Sequence, residues 1–119
     1  MKQISESEML HRAAAYCSAS ERCIQDVEKK IKAAGLAGEE SDRIVSRLLQ
    51  ERFIDESRFA RYFVNDKLRF NKWGRVKINY EMQRKGIPSS IRSEALEGID
   101  EQEYRSILLS LLKSKKKVT

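Results

Sequence analysis

Residues 74–87 read Gly74-Arg75-Val76-Lys77-Ile78-Asn79-Tyr80-Glu81-Met82-Gln83-Arg84-Lys85-Gly86-Ile87. Ile78 and Met82 lie one helical turn apart and share a face, and Gly86 followed by Ile87 has the form of a left-handed helix stop with an apolar contact just beyond it. The pattern occurs earlier too. Aligning Gly35 with Gly86 sets Val27 on Ile78, Ile31 on Met82 and Leu36 on Ile87. A second register sets Ile54-Asp55-Glu56 on Ile99-Asp100-Glu101, each followed by an aromatic residue, Phe59 or Tyr104. Ile4-Ser5-Glu6 with Met9 fits the same frame, and Ser5, Asp55 and Asp100 are each suited to capping the helix that follows. The chain therefore reads as a repeat of about 45–50 residues, each repeat being three helices with a glycine turn between the second and third.

From this register the expected fold is all-α: tandem three-helix repeats in an elongated array. Residues 1–53 form the first repeat, 54–98 the second, and 99–119 the first helix of an incomplete third with a basic tail. Seven helices are predicted, near 5–17, 20–34, 41–51, 57–70, 74–85, 89–97 and 101–113, and no strand. On the fourth, Phe59, Phe63 and Phe70 fall within one narrow arc and are expected in the core. Pro88 suits a first helical turn. A three-helix unit has a small core, so each repeat is expected to lean on its neighbour and to present an extended surface suited to a large partner.

Composition narrows the class. Of 119 residues, 40% are hydrophobic and 35% charged, with one proline and five glycines. That is too little turn chemistry for an all-β fold, and no apolar run is long enough to span a bilayer. A cytoplasmic protein without membrane association is expected. Cys17 and Cys23 do not form a CxxC pair, and His11 is the single histidine, so no metal site is expected and both thiols read as buried and reduced. Nucleotide-binding and hydrolase motifs are missing, and a lone helical histidine reads as structural. No catalysis, cofactor or small-molecule ligand is expected.

The net charge of +6 is unevenly placed: residues 1–55 carry 9 basic and 10 acidic side chains, residues 56–98 carry 10 and 5. In the basic middle, Arg58, Arg61, Asn65 and Arg69 lie along one stripe of the fourth helix, and Lys77, Tyr80 and Arg84 along one stripe of the fifth. The connection between them adds Lys72, Trp73 and Arg75. Basic side chains with an aromatic in reach suit a phosphate backbone and an unstacked base, and equally suit an acidic protein groove. They also fit a plain solvated helix face, and for Trp73 packing at the corner between helices is the favoured reading. The candidate contact residues are Arg58, Arg61, Arg69, Lys72, Trp73, Arg75, Lys77 and Arg84.

Two segments of the middle repeat resemble the family of the bacterial regulatory protein RecX, modulators of the RecA recombinase. Phe53-Ile54-Asp55-Glu56-Ser57-Arg58-Phe59-Ala60 is similar to the family's aliphatic-Asp-acidic-x-Arg-aromatic-Ala segment. Gly74-Arg75-Val76-Lys77-Ile78, Glu81-Met82 and Lys85-Gly86-Ile87 resemble its Gly-x-x-basic-Ile-x-x-Glu-Leu-x-x-Lys-Gly-Ile segment. The first repeat matches more loosely, through Ser20, Asp26-Val27, Lys30-Ile31 and Gly35, so that the likeness covers roughly residues 8–113. Cys23, Arg75 and Met82 stand where serine, proline and leucine are usual, and family members generally carry three complete repeats. The resemblance implies a non-enzymatic regulator that lodges along the groove of the RecA–single-stranded-DNA filament and suppresses ATP hydrolysis, strand exchange and coprotease activity. The expected partner is that filament, with weak non-specific DNA binding at most, and the expected state is a monomer. The competing class is a helix-turn-helix-like regulator that reads duplex DNA directly.

Overall fold

The computed structural model describes residues 4–117, with side-chain surroundings given as far as residue 113. Among the described residues there are seven helices and no strand: α1 Glu6–Ala19, α2 Ile24–Ala33, α3 Glu39–Gln50, α4 Glu56–Arg69, α5 Arg75–Arg84, α6 Ser89–Glu97 and α7 Glu101–Lys117. The all-α repeat expected from the sequence is the fold observed. The chain divides into two compact units, Met1–Phe59 and Ala60–Thr119. Each unit holds its own second and third helices.

In the first unit α1, α2 and α3 all pack against one another. Met9, Ala13 and Cys17 from α1, Val27 and Ile31 from α2, and Ile44 and Leu48 from α3 meet in one core closed by Leu36 and Ile54. These are the helical spacings read from the sequence. In the second unit α5 packs on α6, and Ala60, Phe63, Val64, Leu68, Ile78, Met82, Ile87, Ala95 and Ile99 are buried.

Helix boundaries follow local chemistry. The amide of Glu8 donates to Ser5 Oγ at 3.1 Å, that of Arg58 to Asp55 Oδ1 at 3.0 Å, and that of Glu103 to Asp100 Oδ1 at 3.2 Å, as expected of the three capping residues. At the end of α2, Leu36 N–H donates to the Ile31 carbonyl and Gly35 N–H to the Lys32 carbonyl. At the end of α5, Ile87 and Gly86 repeat the pattern on Met82 and Gln83. Gly35 and Gly86 have φ of 94° and 80°, the left-handed region this closure requires. The same closure ends α3, with Phe53 donating to Leu48 and Arg52 to Leu49, but there the left-handed residue is Arg52 at φ 62°.

Three expectations are corrected. Phe70 is 81% exposed rather than in the core. The helical arc that joins it to Phe59 and Phe63 is broken because α4 ends at Arg69. The chain then turns, with Trp73 N–H donating to the Lys67 carbonyl, and the aromatic that meets Phe63 is Trp73, edge-on at 6.3 Å. α2 starts at Ile24, later than expected, because Cys23 caps it and donates its own amide to Asp26 Oδ2 at 3.2 Å. Pro88 sits just outside α6 as its cap residue, with extended ψ of 151°.

Candidate functional site

The eight candidate residues fall into two groups in the structure. The first is engaged within the chain. Arg58, at the first turn of α4, directs Nε to both carboxylate oxygens of Glu21 at 2.8 and 2.9 Å and donates from Nη2 to the carbonyls of Arg52 and Phe53. Arg69 forks onto Glu103 of α7, with Nε at 2.6 Å and Nη2 at 3.2 Å. Arg75 pairs with Glu101, lies over the Tyr104 ring at 4.2 Å, and donates its backbone N–H to Tyr104 Oη at 3.2 Å. Arg84 is exposed and rests within 3.5 Å of Glu81 on its own helix. The bidentate hydrogen bond to Glu103 pushes the pKa of Arg69 up.

The second group faces outward. Arg61, Lys72 and Lys77 are exposed. Lys77 Nζ stands 4.7 Å from the centre of the Trp73 ring, and Lys67 Nζ stands 5.2 Å from it. Trp73 is half-buried, packed against Phe63 and within cation–π reach of two ammonium groups. Lys72 adopts a left-handed backbone, φ 58°, at the turn between α4 and α5.

The two arginine clusters build the same joint twice. In the first, Glu56 at the head of α4 accepts the N–H of Ile24, the first residue of α2, at 3.1 Å, and Arg58 holds Glu21 just before that helix. In the second, Tyr104 of α7 accepts the N–H of Arg75, the first residue of α5, and Glu103 holds Arg69 before that helix. The backbone group served is the same in both; the side chains are not. Burial pushes the Glu56 carboxyl above its ordinary range, a shift the Ile24 N–H partly opposes.

Sequence reasoning passed over the apolar side of this surface. Tyr62, Phe70, Val76 and Tyr80 are all exposed in the second unit, Val76 at 86%. Among them only Tyr80 was legible, from its place on the Lys77–Arg84 stripe. A usable signal was present: Val76 and Tyr80 are four apart on the helix side opposite Ile78 and Met82, where solvent-facing residues are ordinarily polar. His11 is exposed, with Nδ1 3.0 Å from the Ser7 carbonyl. Cys17 and Cys23 are buried and not joined in a disulfide, and burial raises the pKa of Cys17. No described helix is long and apolar enough to cross a membrane.

Comparison with known proteins now identifies the repeat. Residues 55–96 match the family model described as RecX, second three-helix domain. Regulatory protein RecX of Prosthecochloris aestuarii is 33% identical over 91 residues, covering 76% of this chain and 60% of that protein. The chain belongs to the RecX family. Regulatory protein RecX of Lactobacillus johnsonii is 26% identical over 113 residues, covering 95% of this chain but 42% of that protein. The chain thus spans 60% or less of these two curated RecX relatives. Its fold is that of RecX from Lactobacillus salivarius, whose crystal structure superposes with a TM-score of 0.81 at 20% identity, covering 92% of this chain and 71% of that one. The match over 55–96 takes in the outward-facing Arg61, Lys72 and Lys77 as well as the engaged Arg58, Arg69, Arg75 and Arg84.

Proposed function

We propose that this chain is a non-enzymatic, cytoplasmic regulator that binds the RecA–single-stranded-DNA filament along its groove and inhibits the recombinase's ATPase, strand-exchange and coprotease activities. The observation that carries this reading is membership of the RecX family, through a match that falls within the stretch where basic residues most outnumber acidic ones, 10 to 5 over residues 56–98. The repeat as read from sequence, 1–53, 54–98 and the helix beginning at 99, makes the second repeat the primary contact element. Within it Arg61, Lys72 and Lys77 lead as contact residues, and Arg84, exposed although it rests beside Glu81, joins them. Arg58, Arg69 and Arg75 act beside them from positions held by their ion pairs, and Trp73 orients Lys77.

The test is the single-stranded-DNA-dependent ATPase rate of the cognate RecA with this chain titrated in. Inhibition at less than one copy per recombinase protomer is expected, because one bound regulator can span neighbouring protomers or cap a growing end. Full ATPase activity at a molar excess of the chain overturns the reading. A preference of ~10³ or more for one duplex over random DNA would instead establish a direct DNA regulator.

A further inference from the structure

Helices α2 and α5 occupy the same place in their units: Val27 and Ile31 are buried in the first, Ile78 and Met82 in the second. Their outer faces differ. α2 exposes Glu28, Lys29, Lys30, Lys32 and Ala33, a charged surface with no large apolar residue. α5 exposes Val76 at 86%, Tyr80 at 57%, and Lys77, Gln83 and Arg84. The one acid on α5, Glu81, is half-buried beside Arg84. Val76 and Tyr80 are an i, i+4 pair and so stand together on one face. Lys77 ties that face to the α4–α5 connection through the Trp73 ring, next to Lys72. The fold does not demand an apolar pair here, since α2 does without one.

Resting on the filament-binding reading above, we infer that this face of α5 seats against a protein surface that offers an apolar spot bordered by carboxylates. Val76 and Tyr80 supply the dry centre, and Lys72, Lys77 and Arg84 the cationic rim, the arrangement in which protein interfaces concentrate their affinity. Two observations favour protein over nucleic acid as the occupant. Binding to phosphates scales with the number of cations that can reach them, and Arg58, Arg69 and Arg75 already hold Glu21, Glu103 and Glu101. The most exposed apolar residue on this face, Val76, is aliphatic and has no π-face on which a base can stack, which leaves Tyr80 as the only stacking ring of the pair.

The experiment compares the chain with its Val76→Ala/Tyr80→Ala double variant, which keeps every charge, and with Lys29→Ala/Lys32→Ala on α2 as control. Affinity is measured for RecA filaments assembled on single-stranded DNA and for the same DNA bare, with circular dichroism confirming that each variant folds. The α5 variant should bind filaments at least ~10-fold more weakly, and the α2 variant within ~2-fold of the parent. If the parent binds filaments and the α5 variant binds equally well, the docking face is overturned while the filament reading stands. If the parent binds bare DNA as tightly as filaments and the α5 variant loses both, the occupant is nucleic acid and the protein-surface inference falls. A folded parent chain that fails to bind filaments overturns both.

Discussion

Arg58 of α4 and Glu103 of α7 hold the same position in their helices, three residues beyond the capping Asp55 and Asp100, yet carry opposite charge. Each reaches back to a partner of the complementary sign, Arg58 to Glu21 and Glu103 to Arg69. The joint that ties the head of one helix to the turn before another is therefore built twice with its polarity reversed. An arginine suits the first joint because it can also satisfy the carbonyls of Arg52 and Phe53, which end α3.

Reversing the first joint should show how much of it is charge. Arg58→Glu is expected to destabilise the chain by about 1–2 kcal/mol, from loss of charge-assisted hydrogen bonds that are only part-buried. Adding Glu21→Arg should recover about half of that, because the ion pair returns while the two carbonyls stay without their donor. Urea unfolding of the two single variants and the double variant checks this, and full recovery would show that the carbonyl contacts contribute nothing.

Backbone strain at the end of α3 gives a stabilising substitution. Arg52 sits at φ 62° in a closure that glycine makes at Gly35 and Gly86. Arg52→Gly should raise stability by about 0.5–1 kcal/mol, the relief of left-handed strain less the entropy that glycine adds to the unfolded chain. Gly86→Ala, at φ 80°, should lower it by about 1 kcal/mol. Gly98→Ala, whose added Cβ would meet the Ala95 carbonyl oxygen at an ordinary 3.4 Å, should be close to neutral. Thermal melts rank the three.

Glu56 makes stability depend on pH in a direction opposite to that of a salt-bridged carboxylate. Its folded pKa is raised, chiefly by burial, so the folded state holds the proton more tightly than the unfolded state does. The resulting contribution is fully present below the ordinary glutamate pKa and is lost as pH rises through the raised folded value. Glu56→Gln keeps an acceptor for the Ile24 N–H and removes the titration. Its stability relative to the parent should therefore be higher at pH 7 than at pH 4 in paired denaturant titrations; an equal difference at both would refute the assignment.

The outward cations should govern filament affinity without governing the fold. Arg61→Glu with Lys72→Glu is expected to weaken inhibition of the RecA ATPase by about 10-fold, and more at low salt than at high, because exposed charges are screened within a Debye length of about 8–10 Å. Circular dichroism should be unchanged, since both side chains are exposed. Unaltered inhibition would remove these two residues from the contact surface.

Much of this molecule is decided locally, and local decisions are legible in the sequence. Met9 with Ala13, Val27 with Ile31, and Ile78 with Met82 announce helices because a buried stripe must recur about every turn. Gly35 and Gly86 announce where two of those helices stop, because few other residues adopt a left-handed backbone at so little cost. The stop at Arg52 was hidden because its residue type gives no warning, and Phe70 was misplaced because a helical wheel assumes that the helix continues. The alignment of the two glycine turns was enough to determine the all-α repeat and, with the motifs around Arg58 and Lys77, to point to the RecX family. Which cations remain available was decided only by tertiary structure. Glu21 and Arg58 are separated by 37 residues, and Arg69 and Glu103 by 34, so nothing in either local sequence shows that they meet. Spacing along one helix places a charge on a face, but only the packing of other helices against it brings up the opposite charge that occupies it.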